Sequence, residues 1–365
     1  MKKTLLACLL ICLQLPFLGR AEDAKADGYL ANDCHFHLTN YIQEGTDIHK
    51  FLEIMGDKMG RVALFGIPLQ QTWAYHNSGD FAPTYYLHSD APLYYYSFTD
   101  AYIAMAYRSL SKEQQARFDP MITGFNPADM YGVDHIRRVL KTFPGVFTGI
   151  GEFTIHKEFV SSKVAGEVAS LTNPALDRIL RFAEETGLLV LIHNDIDMPF
   201  AKAGAEPVYL NQMKALLRRH PKAKIIWAHV GLGRVVHPVQ ASSAGAEVDR
   251  PDQIGIVEVM LRDSSLKHVY FDISWDEVAK YILSSPRSIE RTADILNRYP
   301  DRFLFGTDTV APSTQQDYLK VYELYGPLWK ALSPEAGEKV RKKNYERLFD
   351  EARQKVRAWE KANLK

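Results

Sequence analysis

The chain has 365 residues, 46% of them hydrophobic and 24% charged, a balance that suits a globular protein with a large core and excludes a disordered chain. Lys plus Arg and Asp plus Glu both number 44. A neutral chain with no basic run lacks the electrostatic footprint of a nucleic-acid binder, so the expected partner is a small molecule.

The N-terminus reads as an address. Lys2 and Lys3 precede a mostly apolar stretch from Leu5 to Leu18, and Gly19-Arg20-Ala21 places small residues around a cut. That is the layout of a secretory signal peptide over residues 1–21, with Ala24-Lys25-Ala26 as a later site for the cut. No later segment has ~18 consecutive apolar residues, so no stable membrane anchor is expected and the mature chain should be periplasmic or secreted. Cys8 and Cys12 would leave with the leader, and Cys34 alone cannot form an intrachain disulfide.

Residues 29–363 read as a single domain. In chain order, strands are expected at 30–38, 61–69, 121–125, 146–153, 188–194, 224–230, 268–274 and 302–307. Most are rich in Val, Ile, Leu and Phe without alternation, as parallel strands covered on both faces are. Helical patterns lie between them. Thr46 can cap a helix with Ile48, Phe51, Leu52 and Met55 on one face. Asn173-Pro174 opens another with Leu176, Ile179, Leu180 and Ala183 inward, and Gly187 ends it. Leu210, Met213 and Leu217 repeat the pattern. The alternation predicts an α/β fold, a (β/α)8 TIM barrel with a C-terminal helical tail. Two connections are long: an aromatic-rich insertion at 70–118 after strand two, and residues 231–252 after strand six. Loops leaving the C-terminal strand ends build the active sites of barrels.

Those strand ends carry the chemistry. The first ends in Asp33-Cys34-His35-Phe36-His37. Alternation puts His35 and His37 on one face, ~6.6 Å apart, suited to one ion, and turns Cys34 and Phe36 to the helical layer. Glu152 ends strand four, His193 strand five, His229 strand six and Asp308 strand eight. Any one of these has a bland reading as a hydrogen-bonded or capping residue. Gathered around one barrel mouth, they point to a metal-dependent active site.

This set resembles the amidohydrolase superfamily. The phrases Ala228-His229-Val230-Gly231, Phe305-Gly306-Thr307-Asp308 and Asn344-Tyr345-Glu346-Arg347-Leu348-Phe349 look like its amidohydrolase-related (amidohydrolase 2) branch. The resemblance implies a metal-dependent hydrolase that cleaves an ester, lactone, amide or phosphoester. In two-metal members the HxH pair and Asp308 would hold one ion, His193 and His229 the other, with Glu152 as the bridge. In one-metal members His35, His37, His193 and Asp308 would hold a single ion, leaving His229 to polarise the substrate. Zinc suits these ligands, with Mn²⁺, Fe²⁺ or Ni²⁺ as substitutes. Asp308 would be the general base. The alternative within the branch is a zinc-dependent decarboxylase or hydratase acting on a carboxylated molecule. Arg234 and His237, and His156 with Lys157 beyond Glu152, are the candidates for substrate binding; Asp272 is expected to orient a metal-bound histidine. The aromatic insertion is a candidate lid. Neutral charge and the helical tail are compatible with a homodimer.

Overall fold

The computed structural model describes residues 28–81, 89–166, 169–198, 207–233 and 253–364. The expected leader, with Cys8 and Cys12, lies outside them. Eight strands carry the architecture: β1 (Ala31–His37), β2 (Met59–Phe65), β3 (Phe118–Ile122), β4 (Gly149–Thr154), β5 (Leu189–His193), β6 (Ile225–Trp227), β7 (Val269–Asp272) and β8, which begins at Phe303–Leu304. Each pairs in parallel with the next. The eighth strand is split. It bends through residues 305–308 and resumes as Thr309–Val310, which pairs in parallel with β1. Cys34 N–H donates to the Phe305 carbonyl at 3.1 Å and Asp308 N–H to that of His35 at 2.7 Å, so the bend is itself stitched to β1. The last strand thus lies beside the first, and the sheet closes as a TIM barrel.

Side-chain parity divides the core in two. Val62, Leu64, Val190, Ile192, Ile225, Trp227, Val269 and Phe271 face outward into one cluster with the helices. Ala63, Phe65, Met121, Leu189, Leu191, Ile226, Tyr270 and Leu304 fill the barrel. The helix Asn344–Asn363 adds Tyr345, Leu348, Phe349 and Ala352 to that interior group. It closes the N-terminal end of the barrel and leaves the opposite mouth for the site.

Three local expectations are corrected. Cys34 joins the barrel interior rather than the helical layer. The reason is a register shift in β1 between Asp33 and Phe36, which inserts a residue and breaks the alternation. Strand two stops at Phe65; Pro68 has no N–H for a ladder, and Leu69–Gln71 instead pairs antiparallel with Leu93–Tyr95. The helix Ile48–Met55 is capped by Asp47, which accepts the N–H groups of His49 and Lys50, while the Thr46 hydroxyl donates to the Pro312 carbonyl. By contrast Asn173, Pro174 and Gly187 bound the helix Pro174–Thr186 as cap, first residue and left-handed terminus.

The antiparallel ribbon belongs to the aromatic insertion. Its Leu69 and Leu93 pack with Tyr41, Ile67 and Val160 into a small core on the rim. Trp73, Tyr75, Phe81 and Tyr94 face solvent, and Tyr85 and Tyr86 lie outside the described residues. Among the described helices none is long and apolar enough to cross a membrane.

Candidate metal centre

Local backbone irregularity aims the site residues. In β4 both Ile150 and Phe153 pack outward, so a second register shift lies between them. It turns Glu152 into the barrel mouth, as the β1 shift does His35. The neighbouring Gly151 has φ +113, and a Cβ there would collide with the Leu191 carbonyl. Gly306 is similarly fixed, since its Cβ would stand 2.7 Å from that of His35. His229 and Asp308 both hold φ of 55°, a left-handed conformation uncommon outside glycine. Such conformations cost free energy and gather at functional sites.

The six residues expected at the strand ends meet there. Glu152 Oε2 lies 3.5 Å from His35 Nε2 and 3.3 Å from His37 Nε2. Asp308 Oδ1 faces the same two nitrogens at 3.2 and 3.1 Å. The other Glu152 oxygen, Oε1, lies 2.5 Å from His193 Nδ1 and 3.6 Å from His229 Nε2. One carboxylate therefore divides its oxygens between two pairs of imidazoles.

The histidines are held from behind. His35 Nδ1 is 3.0 Å from Asp272 Oδ2. Ser274 spends its one proton on Asp272 Oδ1 at 2.6 Å, so at 2.9 Å its oxygen accepts from His229 Nδ1. Both rings accordingly turn Nε2 to the centre, and neither Nε2 has a hydrogen-bond partner despite complete burial. Buried polar nitrogens are normally satisfied. Lone pairs converging on carboxylate oxygens are what a cation would satisfy. Groups with one donor atom each within 4.8 Å of one another include His35, His37, Glu152 and Asp308, and separately Glu152, His193 and His229. The residues present fit a divalent ion.

Electrostatics agree. Burial pushes the Glu152 carboxyl up, but Lys157, His35 and His193 outweigh it and hold the group well below its usual range. Asp308 is held well below its own against the same burial penalty, by His229 and His35. Burial lowers His229, keeping that ring neutral. His35 is raised despite burial because Glu152, Asp308 and Asp272 surround it, so the carboxylates demand positive charge in their midst.

A cavity of about 230 Å³ opens above the cluster, small for a ligand site. Glu152, Asp308 and His37 form its floor; Tyr41, Ile67, Leu69 and Trp275 give apolar walls, and Lys157 and Asp276 charged ones. Lys157 Nζ lies 3.9 Å from Glu152 Oε1. His156 does not line it. Its ring stacks on Tyr209 at 3.7 Å, where burial pushes its pKa down to about 4 against the pull of Asp195. Arg234 and His237 lie outside the described residues. Sequence reasoning missed Trp275, 5.1 Å from the His229 ring, and Asp195, whose Oδ1 lies 3.0 Å from His193 Nε2. The signal for Asp195 was its place two residues beyond a strand-end histidine.

A family model described as Amidohydrolase matches residues 33–350, and the chain belongs to that family. No curated protein sequence matches it. Among solved structures, an amidohydrolase from Burkholderia multivorans with bound zinc is similar over 88% of this chain and 99% of its own, at 13% identity and a TM-score of 0.50. A 2,6-dihydroxybenzoate decarboxylase from Rhizobium matches 88% of this chain and 98% of its own, at 14% identity and a TM-score of 0.48. For a dihydroorotase from Campylobacter jejuni the shares are 88% and 84%, the identity 13% and the TM-score 0.48. Family membership and the His/Glu/Asp cluster support a metal-dependent enzyme.

Proposed function

We propose that this protein is a metal-dependent hydrolase of a small molecule, exported to the periplasm or beyond, whose strand-end cluster would hold two ions with Glu152 as a ligand common to both. The division of the Glu152 oxygens carries the reading: Oε2 serves His35 and His37, and Oε1 serves His193 and His229. On this reading His35, His37 and Asp308 would hold one ion, and His193 and His229 the other. Zinc is the first candidate, from the imidazole and carboxylate ligands and from the zinc bound in the Burkholderia relative.

A bound zinc ion would supply Lewis acidity, which brings the pKa of water down toward neutrality. The side chains do the rest. Asp308 is ionised, and its side chain is 11% exposed at the cavity floor, so it can take the proton of the attacking water and return it to the leaving group. Glu152 keeps its charge because Lys157 and the imidazoles surround it. Asp272 and Ser274 hold the rings of His35 and His229 in the tautomer that aims Nε2 inward. Tyr41, Ile67, Leu69 and Trp275 exclude water around the substrate.

A second reading is a decarboxylase, which the Lys157 ammonium in the cavity wall favours by offering charge to a substrate carboxylate. The decisive experiment measures metal per chain in wild type and His37→Ala, then screens lactones, esters, amides and phosphoesters for cleavage and aromatic acids for released CO₂. Two equivalents, largely lost in the variant, with a cleaved bond, support the proposal. One equivalent with CO₂ release replaces it by the lyase. A wild type that cannot be loaded overturns both.

A further inference from the structure

His193 differs from its neighbours in how it is held. His35 and His229 are gripped at Nδ1 and turn Nε2 to the centre. In His193 the roles are reversed: Nε2 lies 3.0 Å from Asp195 Oδ1, and Nδ1 faces Glu152. Both side chains are buried. Asp195 is engaged on its other side too, for its Oδ2 accepts the Glu158 N–H at 2.8 Å. That contact ties the end of β5 to the loop that carries Lys157 over Glu152.

We propose that Asp195 is a positioning residue that dictates which nitrogen His193 offers to a metal ion. The inference rests on the metal reading above. Asp195 offers only acceptor oxygens, so the Nε2 beside it carries the hydrogen. Nδ1 faces a second carboxylate oxygen, Glu152 Oε1, and with an ion held by Nδ1 and Glu152 it is the Nδ1 lone pair that would be offered. Asp195 would thus do for the second ion what Asp272 and Ser274 do for the nitrogens of His35 and His229.

The Glu158 contact makes the idea sharp. In Asp195→Asn the amide has one oxygen and one NH₂ where the carboxylate had two acceptors. If the oxygen stays on the Glu158 N–H, the NH₂ donates to Nε2 and drives the hydrogen onto Nδ1, which then cannot ligate. If the amide flips, two donors oppose each other at Glu158. Asp195→Ala forces neither outcome: it leaves Nε2–H without its acceptor but free to keep its hydrogen. The nearly isosteric Asn should therefore weaken metal binding more than the smaller Ala.

The test is a zinc titration of the full chain against a competing chelator, with metal counted per chain. Wild type should hold two ions, and Asp195→Asn should lose ~100-fold in affinity for one of them while keeping the other; Asp195→Ala should lose only ~10-fold. A purely structural Asp195 gives the opposite order, because Ala opens a cavity and Asn does not. That order, or an Asn variant that binds like wild type, overturns the inference while leaving the metal reading intact. A wild type that takes up no zinc overturns the metal reading and this inference with it. Should either variant fail to fold, ¹⁵N-histidine NMR of the zinc-loaded wild type decides, with His193→Gln to assign the ring. Hydrogen on Nε2 supports the proposal, and hydrogen on Nδ1 ends it.

Discussion

The two ends of this barrel each bury a carboxylate cluster, and they resolve the burden in opposite ways. At the N-terminal end Asp119 accepts from Arg61 Nε at 3.1 Å and Nη2 at 2.8 Å, from the Tyr345 hydroxyl at 2.9 Å and from Arg353 at 2.5 Å. Burial and the nearby Asp119 charge hold Tyr345 well above its ordinary pKa, so it remains a donor. The chain supplies every partner. At the C-terminal end Glu152 and Asp308 face imidazoles whose inward nitrogens His35 Nε2 and His229 Nε2 have no hydrogen-bond partner. A cluster whose members satisfy one another serves the fold, and one in which buried imidazole nitrogens without hydrogen-bond partners converge on carboxylates suits a cation. The contrast follows the usual division of labour in barrels, stability at the bottom and chemistry at the top.

The largest expected effect breaks the top alone. Asp308→Asn should lower turnover ~10²–10⁴-fold, the range of a general base. Steady-state kinetics on a substrate found by screening, with metal counted in parallel, measures it. A variant that turns over at the wild-type rate removes Asp308 from the proton transfer. Next comes the bottom. Asp119→Asn should destabilise the fold by about 3 kcal/mol, the low end for a broken buried pair because Arg353 reaches solvent. Denaturant unfolding reads that change, and metal per folded chain should not move. Metal loss in this variant would mean that the two ends are not independent.

Removing the ion sharpens the same point. A ligand that binds only the native state stabilises it by ~2.7 kcal/mol at a hundredfold excess over its Kd. Chelation should therefore lower the unfolding free energy on that scale. The losses from chelation and from Asp119→Asn should add to within ~0.5 kcal/mol, as for distant sites. A shortfall from additivity would reveal coupling through the barrel.

The top was far more legible in the sequence than the bottom. Histidines and carboxylates at the ends of apolar runs stand out, because a barrel brings those ends together whatever their separation in the chain. Asp119 is the second residue of the strand Phe118–Ile122, ahead of the run expected to begin at residue 121, and its partners at 61, 345 and 353 follow no local period. The register shifts in β1 and β4 were hidden because a bulge adds one residue without changing composition. This is why Cys34 was expected on the wrong face while His35 and His37 were expected on the right one. Neighbouring candidates also compete for one role, as Thr46 and Asp47 did for a cap that only backbone geometry assigns. Asp195 stayed hidden for a related reason: a carboxylate just past a strand reads as a loop residue until its partner's second nitrogen is located.

The smallest effect asks whether the self-completed kind of cluster scales with burial. On the outer helices Asp177 meets His220 Nε2 at 2.8 Å and Arg219 Nη2 at 3.1 Å, with its side chain 20% exposed. Burial works against its charge, but the His220 hydrogen bond and then Arg219 win and hold the carboxyl below its ordinary value of 3.8. A carboxyl depressed in the folded state stabilises the fold at pH values above its unfolded pKa, and that contribution is lost as pH falls through the folded value. Asp177→Asn should therefore cost ~0.5 kcal/mol at neutral pH, the scale of a solvent-screened pair and well below Asp119→Asn. The gap should narrow in acid, where wild type also becomes neutral at this position. Urea unfolding of both proteins from neutral pH downward reads it, and a gap that stays constant into acid would assign the effect to packing rather than charge.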